Sequence, residues 1–241
     1  VGPVRSLAVG DLGAGPRLFL GGDFVTAGGA PAARIAEWNG TSFAPLGAGV
    51  GGVGLTSVAA LALFAPTGSP TSLVAAGTFT TAGGLPASNI ARWTGIGWLP
   101  LGSGLTSPTA ALKVAALGAL PPALYATGSF GAAGGVIASR IARFDGSTWS
   151  ALGTGLGGGA GAALAVHDFG AGPRLVVGGA FATAGGLATD RIAAYDGAAW
   201  STVGAGLQCT ACATGVAVSA LLSDGVELFA GGTFASSGPN A

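Results

Sequence analysis

Charge is what this chain has least of. Asp, Glu, Lys and Arg make up 7% of its 241 residues, against roughly a quarter in ordinary soluble domains. Nine basic and nine acidic residues cancel, so there is no electrostatic footprint for nucleic acid or an anionic membrane. Methionine is absent, Lys113 is the single lysine and His167 the single histidine. Two cysteines and one histidine fall short of a structural zinc site, which needs about four ligands. Half of the residues are hydrophobic, yet the longest apolar stretches run to about eight residues, well short of the ~20 that cross a bilayer as a helix. A transmembrane barrel would need longer strands alternating apolar and polar. The apolar content is therefore expected in short strands buried on both faces.

Glycine is abundant, at 48 residues, and it is periodic. Gly21-Gly22-Asp23-Phe24, Ala76-Gly77-Thr78-Phe79, Thr127-Gly128-Ser129-Phe130, Gly178-Gly179-Ala180-Phe181 and Gly231-Gly232-Thr233-Phe234 are one pattern written five times, with phenylalanines 55, 51, 51 and 53 residues apart. A period near fifty marks an array of supersecondary units that bury their faces on one another. After each of the first four phenylalanines the spacing is constant. Isoleucine comes first (Ile35, Ile90, Ile141, Ile192), then an aromatic (Trp38, Trp93, Phe144, Tyr195), then a second aromatic (Phe43, Trp98, Trp149, Trp200). Leu46-Gly47, Leu101-Gly102, Leu152-Gly153 and Val203-Gly204 close the units, and all length variation falls between that pair and the next landmark.

The units read as four short strands. First strands are expected over Ser6–Val9, Val58–Phe64, Val114–Leu117, Ala163–His167 and Val216–Leu222, and second strands lead into each Gly-Phe landmark. The third carries the isoleucine and first aromatic, the fourth the second aromatic. Between them stand Asn39-Gly40, Thr94-Gly95, Asp145-Gly146 and Asp196-Gly197, which suit tight hairpin turns. Four strands per fifty residues point to an all-β fold of β-propeller blades, near 1–50, 51–105, 106–156, 157–207 and an incomplete 208–241, in a single domain.

The order Gly-Gly, then Ile-x-x-aromatic-Asp-Gly, then Trp-Ser-x-Leu-Gly resembles kelch-type propeller repeats. It is most similar to the glycine-rich kelch-like repeats of secreted bacterial proteins, and also to fungal Rax2-like propellers. The resemblance covers nearly the whole chain and implies a propeller fold, but its shared residues are packing residues. Phe24, Phe79, Phe130, Phe181, Phe234, Trp38, Trp93, Trp98, Trp149 and Trp200 are accordingly expected to be structural. The segment after Phe234 matches the one after Phe24 or Phe79 and then stops before the third strand. With methionine absent, the chain is expected to be a fragment of a longer protein, its incomplete unit finished by further sequence or by self-association at the exposed second strand.

Cys209-Thr-Ala-Cys212 admits a local disulfide, free thiols, a redox pair or part of a zinc site. The disulfide is favoured, since the helical setting of a redox pair and the further zinc ligands are missing. The loop Asp11-Leu-Gly-Ala-Gly-Pro-Arg17 and its copy Asp168-Phe-Gly-Ala-Gly-Pro-Arg174 offer one carboxylate each, too few for Ca²⁺, and read as turns. Ala27-Gly28-Gly29 and its three copies lead into strands rather than helices, so they read as crowded backbone, not phosphate loops. Arg34, Asn89, Arg140 and Arg191 share one position and are expected to bond backbone carbonyls or a neighbouring Asp, although a ring of arginines could take a carboxylate or sulfate. Glu37, Arg92, Arg143 and Ala194 share another, which reads as solvated. His167 reads as a packed or rim residue, and Asn39-Gly-Thr41 fits a glycosylation pattern that its turn already explains.

No catalytic, cofactor or metal residues are assigned. A polysaccharide hydrolase or lyase would need converging carboxylates or a base, and two glutamates with seven aspartates, several in turns, form no such set. The expectation is a non-catalytic, secreted or cell-surface module for a protein or glycan ligand, its blades a scaffold and its variable loops the contact surface. The alternative is the propeller part of a polysaccharide-active hydrolase or lyase.

Overall fold

The computed structural model describes residues 2–208, 217–234 and 236–237. Among them there is no helix, only antiparallel strands and turns. Four four-stranded sheets follow one another. The first comprises Val4–Asp11, Pro16–Gly22, Ile35–Trp38 and Phe43–Pro45. The second comprises Ser57–Phe64, Ser72–Thr78, Ile90–Trp93 and Trp98–Pro100. The third comprises Thr109–Ala115, Ala123–Gly128, Ile141–Phe144 and Trp149–Ala151. The fourth comprises Gly161–Asp168, Pro173–Gly179, Ile192–Tyr195 and Trp200–Thr202. Strands pair in chain order within each sheet. A fifth sheet has two strands among the described residues, Val218–Ser223 and Leu228–Gly232.

One first strand lies elsewhere than expected. In the third unit it is Thr109–Ala115 rather than Val114–Leu117. Lys113 interrupts the apolar run, while Leu117 already opens a turn closed by Leu120 N–H on its carbonyl at 3.1 Å.

All five first strands carry a bulge at the same register, between Val4 and Ser6, Val58 and Ala60, Thr109 and Ala111, Gly161 and Ala163, and Val218 and Ala220. The extra residue resets the two-residue alternation of faces. Val58 therefore shares a face with Leu61 and Leu63 and packs on the first unit, while Ala62, Phe64 and Val74 turn to the third. First strands of consecutive units lie side by side from the first unit to the fifth. The aromatics sit on the face toward the preceding unit and the isoleucines on the face toward the next.

Three further ties join consecutive units. Trp98 Nε1–H donates to the Leu46 carbonyl (2.8 Å), Trp149 to Leu101 (3.2 Å) and Trp200 to Leu152 (2.9 Å). A small hairpin between second and third strands, such as Thr81–Ala82 with Leu85–Pro86, accepts a short strand from the preceding unit, here Val50–Gly51. Leu156–Gly157 joins Thr183–Ala184 likewise, and Leu207–Gln208 joins Ser236–Ser237. Lastly, Gly83, Gly134 and Gly185 N–H donate to the carbonyls of Gly49, Gly104 and Gly155 at 2.8–2.9 Å.

Phe24, Phe79, Phe130 and Phe181 are buried, as are Trp98 and Trp149, while Trp38, Trp93, Trp200 and Phe234 are half-buried. Phe43 is exposed, on the face that looks away from the second unit. The glycine pair expected to be crowded divides its roles. A Cβ on Gly134 would overlap Trp149 Cδ1 and one on Gly185 would overlap Trp200 Cδ1, whereas Gly84 and Gly186 face open space and serve only the hairpin's positive φ, +81° and +89°.

Candidate functional site

Among the described residues, two grooves between consecutive units border the segments that enter the next unit's first strand. The larger, about 460 Å³, lies between the first and second units and is lined by Arg5, Asp23, Arg34, Leu55 and Thr56 among others. Its counterpart between the second and third units, about 340 Å³, is lined by Ser88, Asn89, Leu105 and Thr106 among others. The repeated position that could have formed an arginine ring therefore does border these grooves.

Its side chains are used structurally, however. Arg34 Nε donates to the Thr56 carbonyl (3.1 Å), Asn89 Nδ2 to Leu105 (2.8 Å) and Arg140 Nη1 to Leu156 (2.9 Å), each tying a unit to the segment that enters the next. Arg191 Nη1 turns back on the Phe181 carbonyl at 3.0 Å. All four residues are left-handed, with φ between +62° and +76°. This costly conformation is held from both sides: Asn89 N–H donates to the Phe79 carbonyl (2.9 Å), and the Asn89 carbonyl accepts Gly77 N–H (3.0 Å).

The remaining charge in the larger groove is neutralised in place. Arg5 grips Asp23 with two nitrogens, Nε lying 2.7 Å from Oδ1. The bond from Arg5 is the largest cause that holds the Asp23 carboxyl down at about 2. Its contribution to stability is present above the ordinary carboxylate range of ~4 and is lost as pH falls through about 2. A groove with one satisfied ion pair, an exposed Leu55 and several hydroxyls can hold a ligand by contact and hydrogen bonding.

Other carboxylates hold turns. Asp145 Oδ1 accepts Ser147 and Thr148 N–H at 2.8 Å each, Asp196 accepts Ala198 and Ala199, and Asp224 accepts Val226 and Glu227. These amide bonds push all three carboxyls below their usual range. Asp11 and Asp168 make the same kind of cap on Gly13 and Gly15 and on Gly170 and Gly172. Asn39 Oδ1 accepts Thr41 and Ser42 N–H in an exposed turn of the same build. His167 is buried against the fifth unit, its Nδ1 2.8 Å from Ser223 Oγ and its ring edge-on to Phe169.

The position expected to be solvated is not. Glu37, Arg92 and Arg143 are half-buried and Ala194 is buried, since all four point across the sheet toward the next unit, with Arg17 Nε 3.9 Å from Glu37. Cys209 and Cys212 lie outside the described residues. Among the described residues no cluster of metal-binding side chains occurs. A second glycine in each closing segment escaped the sequence reading. Gly49, Gly104 and Gly155 follow their phenylalanines by a constant interval, and a Cβ on any of them would overlap a backbone carbonyl of its own unit, from Ala33, Ser88 or Ser139. No protein-family model, curated protein or solved structure matches this chain.

Proposed function

We propose that the chain is part of a kelch-like β-propeller that acts as a non-catalytic binding or structural module, secreted or displayed at the cell surface. The observation that carries this reading is the division of labour within the repeat. The repeated polar groups hold turns and tie units together, whereas the segments entering each first strand differ from unit to unit and border the grooves. The segment before Ser57 bears Val53 and Leu55, both almost fully exposed. Apolar side chains displayed at a groove mouth favour contact with a partner over solvent.

The test combines binding and turnover. The chain is screened against polysaccharides and extracellular proteins. A variant in which Val53 and Leu55 are exchanged for serine, leaving the Thr56 carbonyl that Arg34 reaches in place, should lose any ligand found, with an unchanged melting temperature. Release of reducing ends or unsaturated products from any polysaccharide would overturn the non-catalytic reading. Binding indifferent to this exchange would overturn the assignment of the surface.

Secretion rests on Cys209 and Cys212. Mass measurement after alkylation under denaturing conditions, with and without reductant, is expected to reveal the two thiols only after reduction. Two thiols alkylated without reductant would remove both the disulfide and the main argument for an extracellular protein.

A further inference from the structure

The two grooves between consecutive units are built alike and differ in charge. In the smaller, Asn89 Nδ2 ties the unit to the entering segment, donating to the Leu105 carbonyl at 2.8 Å from a left-handed backbone with φ +62°. The polar side chains beside it are the hydroxyls of Thr80, Ser88, Ser103 and Thr106. In the larger, Arg34 makes the same tie from the same kind of backbone, φ +69°, with Nε 3.1 Å from the Thr56 carbonyl. A neutral amide therefore suffices for the structural task. Arg34 brings in addition a charge and the N–H donors of its two terminal nitrogens. The tie to Thr56 is the one hydrogen bond of its side chain among the described residues.

Three charged side chains line the larger groove, Arg5, Asp23 and Arg34, in a chain where charged residues make up only 7%. Arg5 is the bulge residue of its first strand and Asp23 precedes the landmark Phe24. The later full units place Ala59, Ala110 and Ala162 at the first position and Thr78, Ser129 and Ala180 at the second. Arg5 and Asp23 satisfy one another, so the lining keeps one positive charge in excess, that of Arg34. At the mouth Val53 and Leu55 are 99% and 93% exposed. Leu55 is part of the lining, which contains no aromatic ring.

We propose that this groove takes an acidic peptide segment, a glutamate or aspartate flanked by aliphatic residues, whose carboxylate accepts the terminal N–H groups of Arg34 while its neighbours lie on Leu55 and Val53. The inference rests on the reading of the chain as a binding module. A guanidinium fork matches a carboxylate in shape, and hydrogen bonds between ionised partners are the strong ones. The exposed aliphatic side chains beside it gain by covering one another's apolar surface. A sugar acid carries the same carboxylate, but its ring would set hydroxyls against Val53 and Leu55 and would find no aromatic face to pack on. The hydroxyls of Ser57 and Thr78, also in the lining, suit the carbonyls of a peptide backbone.

The probe is an array of short fluorescent peptides in which Glu or Asp stands between Leu, Val or Ile, each beside its Gln or Asn counterpart. Polarisation is measured against the 241-residue chain. Acidic members should bind about tenfold tighter than their amide counterparts, and the gap should narrow as salt rises. Arg34→Asn should erase the gap with an unchanged melting temperature, because Asn89 makes both the tie and the left-handed turn. Arg34→Lys keeps the charge without the fork and should fall between. Equal binding of acid and amide peptides, a preference that survives Arg34→Asn, or no binding of any acidic member at millimolar concentration would each overturn the proposal. So would capture of polygalacturonate in place of the peptides. The module reading fails separately, through the serine exchange of Val53 and Leu55. Loss of a ligand there, with no effect of Arg34→Asn, rejects the acidic partner alone.

Discussion

Trp149→Ala is expected to lower stability by about 3–5 kcal/mol in a denaturant titration, whereas Arg92→Ala should cost about 1 kcal/mol or less. Trp149 is buried between the second and third units, 5.0 Å from the Phe144 ring, with Gly134 pressed against its Cδ1 and its N–H on the Leu101 carbonyl. Truncation empties a site that neither neighbouring sheet can refill, because both are held by strand pairing. Trp149→Phe separates the two contributions: it keeps most of the ring and loses the bond to Leu101, for about 1 kcal/mol. Equal effects of Trp149→Ala and Arg92→Ala would count against a joint built on the aromatics.

The second large effect is expected at a glycine. Gly104→Ala should destabilise by about 2–4 kcal/mol, from a left-handed backbone at φ +79° together with a Cβ that overlaps the Ser88 carbonyl. The obstacle is backbone, so no side-chain rotation relieves it. The Gly104 carbonyl also receives Gly134 N–H from the next unit, and any shift is passed across the joint. Gly84→Ala is the control, with a similar φ of +81° but open space around the added carbon, and should cost only about 1–2 kcal/mol. Thermal unfolding of the two variants side by side checks this, and equal losses would show that the close approach to Ser88 carries no cost.

The constant intervals from Phe79 to Ile90, Trp93, Trp98 and Leu101 were legible because packing between sheets fixes residue type at a fixed distance along the chain. The turns at Asp145 and Asp196 were legible because a carboxylate that caps its own turn acts within four residues. The candidate grooves were much less so. Arg34 and Arg140 could be recognised as one repeated position, but which carbonyls they would reach depended on a neighbouring unit. The half-burial of Glu37 and Arg92 was hidden because differing charge at an equivalent position looks the same whether it faces water or the next sheet.

By itself, then, the sequence determined the all-β class, the repeat, the strand order within each unit and the residues that would be apolar and inward. Tertiary structure decided which face each one took. The bulge in every first strand moves Val58 into phase with Leu61 and Leu63, a shift that two-residue periodicity cannot express. Local preferences are written along the chain and can be read there, while the partner of a buried face is chosen by residues some fifty positions away, through volumes that must fill the same space.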